Sequence, residues 1–236
     1  MICFHGTPIT GTVYDILPFF ENRNFLISMQ YQGNSSEVVK NSSSYILDNG
    51  AFTHWKKGKG SIDIEKYKDF VQKHDNNENY TWNFIPDIID GSERANDAYL
   101  EKWFNVYGDY KSVPVWHYHE SLERLSNLSK VFDVVALGSS ADYSVIGTPH
   151  WHQRTKTIFN YYLENELSCK LHGLRMLNKK IFTLYPYYSG DSTNIARNLE
   201  FYRKRHRIKS RLDAAITMAN NIEKHKSTYG SMEKVK

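Results

Sequence analysis

Short runs of apolar, β-branched or aromatic residues recur along the chain, and most close in turn-forming residues. Ile2–Phe4 runs into His5-Gly6-Thr7-Pro8, and Phe25–Met29 follows. Tyr45–Leu47 ends in Asp48-Asn49-Gly50, Trp82–Ile85 in Pro86-Asp87, and Val113–Trp116 in His117. Val134–Leu137 ends in Gly138-Ser139-Ser140, Leu171–Leu174 in Arg175, and Ile181–Tyr185 in Pro186. These runs predict eight strands. Helical stretches are predicted between several of them, over Ile64–Lys73, Glu93–Val106, Ser121–Leu128 and Trp151–Leu167. The connection around 31–44 is Asn/Ser-rich and predicts no firm helix, and 174–180 leaves room for barely one turn. From Asn194 a last helix is expected to run on through Arg203–Arg211.

Strands alternating with helices imply a parallel sheet, and eight of them imply a closed (β/α)8 barrel of the TIM type. A doubly wound open sheet is the structural rival. No internal repeat or linker divides the chain, so residues 1–223 are read as one barrel domain that includes the basic C-terminal helix. Residues 224–236 are read as a flexible basic tail.

Composition narrows the class. A chain of 236 residues, 40% hydrophobic and 24% charged, can bury one core but hardly two enzymatic domains. With 17 Tyr, 12 Phe and 5 Trp, rings remain for stacking on bases or sugars. The net charge of +4 hints at a polyanionic partner, and six Lys/Arg crowd into Arg203–Arg211. Cys3 and Cys169 make neither a disulfide framework nor a cysteine-rich zinc site, which fits a reducing, cytoplasmic setting. No leader pattern and no run of about 18 apolar residues is visible, so no membrane partner is expected.

In a parallel barrel all strand C-termini open on one face, so polar residues directly after strands share a pocket. Here these are His5, Asp48, Asp87, His117, Gly138-Ser139-Ser140, Arg175 and, past the last predicted strand, Asp191. The competing account makes each aspartate an ordinary helix N-cap. Asn49-Gly50 permits an abrupt turn with positive φ, which lifts Asp48 into the pocket while Phe52 tucks back. Ser189-Gly190-Asp191-Ser192-Thr193-Asn194 is a second glycine-turned acidic loop. Asp191 there either caps the final helix or is held ionised by its dipole, which suits a nucleophile.

In order and spacing these segments resemble the guanine transglycosylases: the tRNA-guanine enzymes and, more closely, the phage and bacterial 7-deazaguanine DNA transglycosylases. Asp48-Asn49-Gly50-Ala51-Phe52 looks like the family's Asp-Ser-Gly-Gly-Phe motif, which carries its general acid/base. Asp87 follows the next strand as the base-reading aspartate does, and Gly138-Ser139 matches a loop whose backbone reads the base. Asp191, followed by Asn194, Arg197 and Asn198, stands where the family has its nucleophile. The likeness spans residues 1 to about 200. No cysteine follows Asp191, whereas the tRNA enzymes carry a cysteine-rich zinc site there, which favours the DNA branch. The tRNA enzymes' base-reading glutamine is not evident after Val115, and His117 stands in its place.

The resemblance implies exchange of guanine in DNA for a 7-deazaguanine, such as the 7-cyano form, with no cofactor and no metal; a phage-borne copy would act in the host cytoplasm. Such a bond breaks through an oxocarbenium-like transition state. Asp191 is the candidate nucleophile and Asp48 the proton shuttle, which requires the pair within roughly 5–7 Å. Asp87, His117, Gly138, Ser139, Phe52, Arg175 and Asn194 are candidate substrate contacts. Because a base inside a duplex is out of reach, the nucleotide must be flipped out or single-stranded. Arg197, Arg203, Lys204, Arg205, Arg207, Lys209 and Arg211 are candidate phosphate contacts.

Other readings stay open. A glycosylase would hydrolyse the same bond. A metallohydrolase could use His117-Tyr118-His119-Glu120 with Asp48, Asp87 and His5. A catalytically silent barrel would only bind nucleic acid. Cys169 and His172 invite a thiol reading, but Cys169 is expected at the buried N-terminal end of its strand, packed and inert.

Overall fold

A computed structural model describes residues 1–108, 111–225 and 227–229. Much of the expected tail, 226 and 230–236, lies outside the described residues. Nine strands form one all-parallel sheet: β1 (Ile2–Gly6), β2 (Asn24–Ser28), β3 (Ser44–Asp48), β4 (Tyr80–Phe84), β5 (Ser112–Val113), β6 (Val115–His117), β7 (Val134–Gly138), β8 (Lys170–Gly173) and β9 (Ser189–Ser192). Their order is β5-β4-β3-β2-β1-β9-β8-β7-β6. The edge strands β5 and β6 are neighbours in the chain, separated only by Pro114. Proline has no amide hydrogen for the ladder, so the strand is interrupted there. The Ile85 amide donates to the Val113 carbonyl at 2.9 Å, and the Ala136 amide donates to the Pro114 carbonyl at 2.9 Å. One short segment thus bonds β4 with its first half and β7 with its second, and the sheet is nearly closed into a barrel.

The helices are α1 (Leu17–Phe20), α2 (Ser35–Asn41), α3 (Ala51–Lys56), α4 (Ile64–Gln72), α5 (Glu93–Val106), α6 (Leu122–Ser129), α7 (Pro149–Glu164), α8 (Lys179–Phe182), α9 (Asn194–Arg205) and α10 (Arg211–Glu223). The four helical stretches predicted between the strands become α4 to α7. Their starts are fixed by side chains that accept a first-turn amide: Asp63, Ser92, Ser121 and Thr148. The Asn/Ser-rich connection does hold a helix, α2, entered through Asn34 at φ 64°.

Two expectations are corrected. Ile181–Tyr185 is not a strand. Asn178 accepts the Lys180 amide at 3.1 Å and starts the single turn of α8, which buries Ile181 and Phe182 together. The last strand is the polar Ser189–Ser192, held between β1 and β8. A Cβ on Gly190 would stand 3.2 Å from the Gly173 carbonyl, so the close approach to β8 suits glycine. The basic C-terminal segment is also not one helix. It breaks after Arg205, with Arg207 at φ 55°, and restarts at Ser210, whose hydroxyl accepts the Asp213 amide at 3.2 Å.

Strand alternation sets what faces inward. Phe4, Leu26, Ile46, Trp82, Phe84, Val113, Val115 and Ala136 pack together as the interior cluster. Their outward neighbours pack against the helices in two larger clusters. Two residues further along the same inner face, toward the strand C-termini, come Ser28, Asp48, His117 and Gly138. The interior thus turns polar at one end.

Candidate functional site

Three aspartates stand at that end, and none caps a helix. The residues at the N-terminal caps of α3, α5 and α9 are Gly50, Ser92 and Thr193, and neither Gly50 nor Thr193 makes a side-chain capping bond. The capping account therefore fails for Asp48, Asp87 and Asp191 alike.

Asp48 ends β3 and retains some solvent contact. The turn after it follows the predicted chemistry, with Gly50 at φ 82° and a Cβ there only 2.5 Å from Gln30 Cγ. Burial pushes the Asp48 carboxyl up to about 6 from 3.8, against hydrogen bonds from Ser28 and the Gly50 amide, and the charges of Asp191 and Asp87 push it further up. The three carboxylates therefore share one electrostatic site.

Asn49, read from sequence only as a turn residue, is buried and ties that site together. Its amide donates to the Ile85 carbonyl and to Asp87 Oδ1, both at 2.8 Å, while its own carbonyl accepts the Ala51 amide at 2.8 Å. Asp87 Oδ2 lies 2.9 Å from His117 Nε2. A carboxylate can only accept from a neutral ring, so Nε2 carries the hydrogen. In a neutral ring His117 Nδ1 is then a buried acceptor, without a partner among the described residues. A Cβ on Gly138 would stand 2.8 Å from that nitrogen, so glycine is what leaves the ring its place.

Asp191 lies within β9, only 5% exposed. Its Oδ1 accepts the Arg175 backbone amide at 3.2 Å, and its Oδ2 lies 3.1 Å from His172 Nε2. His172 was not foreseen as a site residue. A histidine inside an apolar run reads as core, and its partner is 19 residues away. Arg175 adopts φ 61°, donates through its guanidinium to the Ser139 carbonyl at 3.1 Å and stacks 4.0 Å over the Phe52 ring. Burial lowers its pKa, Asp191 opposes that, and Arg197 adds to it.

Several candidates are placed elsewhere or engaged otherwise. His5 faces the helices, 2.8 Å from Glu223 Oε1, because its neighbour Phe4 takes the inner face. Ser139 accepts the Trp151 indole N–H at 2.9 Å, so neither its hydroxyl oxygen nor its carbonyl is without a partner. Asn194 is exposed and bonded to Asn198 at 2.8 Å. Cys169 is buried before β8 with its thiol pushed up to about 12 by burial, and His172 turns to Ser189 and Asp191 instead. His119 bonds Ser140 Oγ at 2.7 Å and the Gly91 carbonyl at 2.8 Å. Glu120 accepts from the His117 amide, Arg124 and Asn96. Among the described residues no three His, Cys, Asp or Glu side chains are grouped to hold a metal ion.

The basic stretch is partly spent on the fold. Arg203 pairs with Glu200 at 3.0 Å, and Arg211 with Asp15 at 2.6 Å and Glu200 at 2.8 Å. Lys204, Arg205, Arg207 and Lys209 point to solvent. A second basic group, of which only Arg197 was foreseen, surrounds Tyr31. This ring is 47% exposed, with Lys57 Nζ 3.1 Å from its hydroxyl. Hydrogen bonding to Lys57, then the charges of Lys57, Arg197 and Lys59, lower its pKa. Trp55, 40% exposed, lies at the end of α3 just before this lysine loop and packs at a tilt on Phe52, ring centroids 5.6 Å apart. No helix among the described residues is long and apolar enough to cross a membrane. Set against family models, curated proteins and solved structures, the chain matches none.

Proposed function

We propose that this chain is a (β/α)8 barrel transglycosylase that exchanges guanine in DNA for a 7-deazaguanine through a covalent aspartyl-deoxyribosyl intermediate. Counting β5 and β6 as one strand broken at Pro114 gives the eight strands. The observation that carries the reading is the pairing of two differently bonded acids on one inner face. Asp48 is raised to about 6 by burial with the charges of Asp191 and Asp87 adding to it, while Asp191 has both oxygens engaged by N–H donors. Chemistry that needs one proton carrier and one nucleophile is served by such a pair.

On this reading Asp191 attacks the sugar C1′ as the C1′–N9 bond breaks, and the bonding electrons leave with guanine. Protonated Asp48 supplies the hydrogen that makes the leaving base neutral. The incoming deazaguanine gives its N9 proton to the Asp48 carboxylate and takes C1′ back, which frees Asp191. Asp87 and His117 read the base edge. The strand follows Lys57, Lys59, Arg197 and Arg175, with Tyr31 and Trp55 offered to neighbouring bases.

Intact-mass analysis after mixing the protein with a guanine-containing oligonucleotide tests the scheme. An adduct is expected, absent in Asp191→Asn. Labelled guanine entering DNA marks exchange, whereas abasic sites without incorporation mark a glycosylase. Oligonucleotide binding with neither product refutes both.

A further inference from the structure

Below Asp191, inside the barrel, lies a titratable group to which the proposed reaction assigns no part. His172 is 0% exposed and faces Phe4, Trp82 and Phe84, with ring centroids 6.0, 6.2 and 5.2 Å away. An imidazole enclosed by aromatic rings must find its polar partners within the protein. It has two. Nε2 lies 3.1 Å from Asp191 Oδ2 and Nδ1 lies 2.8 Å from Ser189 Oγ. The carboxylate only accepts, so Nε2 bears a hydrogen; in a neutral ring Nδ1 then accepts from the Ser189 hydroxyl. His172 pairs with Ser189 in the β8–β9 register, and Asp191 follows two residues on, along the same face. Serine, imidazole and carboxylate thus form one chain rising through an otherwise apolar interior.

We infer that His172 is a positioning residue for Asp191, and that Ser189 anchors the far edge of its ring while the carboxylate itself selects the tautomer. The inference rests on Asp191 being the nucleophile. A carboxylate turns about its Cβ–Cγ bond unless both oxygens are held. Here the Arg175 amide holds Oδ1 from the loop and His172 holds Oδ2 from below. Two fixed points set the plane of the carboxylate and leave its remaining lone pairs for C1′. The nature of the donor matters as well. Asp191 loses its charge when the ester forms and regains it when the ester breaks. A lysine or arginine at this place would bind the anion far better than the ester and so resist attack. A neutral N–H bonds to the anion and still bonds to the ester oxygen. Were His172 only filling volume, an aliphatic or phenyl side chain would do so with no buried polar atoms to satisfy.

Three variants test this: His172→Phe keeps a ring of similar size without the donor, His172→Gln restores an N–H, and Ser189→Ala removes the bond that anchors Nδ1 with a minimal change in packing. The readouts are single-turnover incorporation of labelled guanine into an oligonucleotide, oligonucleotide binding, and thermal unfolding. A displaced nucleophile costs about 100-fold in rate. His172→Phe is expected to lose that much with binding unchanged, His172→Gln to recover about a tenth or more of the wild-type rate, and Ser189→Ala to lose several-fold. Near-wild-type rates in folded His172→Phe overturn the inference, as does a Gln variant no faster than Phe. If His172→Phe does not fold, an undiminished rate in Ser189→Ala overturns it instead. A wild-type protein that exchanges nothing sinks the transglycosylase reading itself, and this inference with it.

Discussion

Replacing Asp48 with asparagine probes the electrostatics of the barrel mouth without any substrate. In the folded protein this carboxyl is raised from 3.8 to about 6, burial being the largest cause. Between those values the folded chain holds the proton more tightly than the unfolded chain. The unfolded state thus binds fewer protons, and stability falls as pH rises through the window. The loss is complete above the folded value, where both states are ionised. At about 1.4 kcal/mol per pH unit the gap corresponds to about 3 kcal/mol, a large share of the ~5–15 kcal/mol typical of a folded domain.

Asparagine cannot ionise, so the variant escapes that loss. Its lost or rearranged bonds to Ser28 and Gly50 add an offset that does not depend on pH and cancels when pH values are compared. Urea unfolding of both proteins from pH 4 to pH 8 is the assay. Relative to wild type, the variant should gain about 2–3 kcal/mol between these limits, a midpoint change of about 1 M or more. Most of the gain should fall between pH 4 and 6.5. A difference curve that stays flat, or slopes the other way, refutes the buried, charge-coupled environment assigned to Asp48.

Three further outcomes are expected. Gly138→Ala puts a Cβ 2.8 Å from His117 Nδ1 and 3.2 Å from Val115 Cγ1; overpacking of this kind costs about 1–3 kcal/mol, and weaker retention of free base by the variant is checked by equilibrium dialysis. Lys57→Ala and Lys59→Ala should each reduce the salt slope of oligonucleotide binding by about 1, measured by fluorescence anisotropy, whereas Arg203→Ala, which leaves Glu200 to Arg211 alone, should act mainly on thermal stability. Cys3 and Cys169, raised to about 11 and about 12 mainly by burial, should resist iodoacetamide at pH 8 in the folded protein and react once it is unfolded in urea.

The strands that proved legible are those whose runs carry Val, Ile and aromatic side chains, because each must bury both faces between interior and helices. β9 is Ser-Gly-Asp-Ser and obeys no such pattern, since its inward residues bond His172 instead of packing. The acids themselves were legible as strand-end residues, but their coupling was not. Asn49 reaches Asp87 across 38 positions, and no local spacing announces that contact. The basic stretch misled for a similar reason. Asp15 lies 196 residues from Arg211, so the ion pair that consumes this charge exists only in the fold. Lys57 and Lys59 were passed over because two lysines beside glycines look like any solvated loop until the turn sets them near Tyr31 and Arg197.

The bonding of the three carboxylates also divides their labour. Asp87 is committed on both oxygens, to Asn49 and His117, so it is fixed in place and holds the imidazole with its Nδ1 against Gly138. Asp191 is committed on both oxygens too, but to two N–H groups from different elements, which orients it and, on the proposed reading, leaves lone pairs to attack with. Asp48 has only a hydroxyl and one backbone amide against burial and two like charges, and its proton can therefore come and go near neutrality. An apolar layer at this level would fold more stably than two buried acids and a partly buried third with two imidazoles. The chain keeps the costly layer where the strands end, and it does so with none of the three acids capping a helix, which is the pattern expected where stability is given up for chemistry.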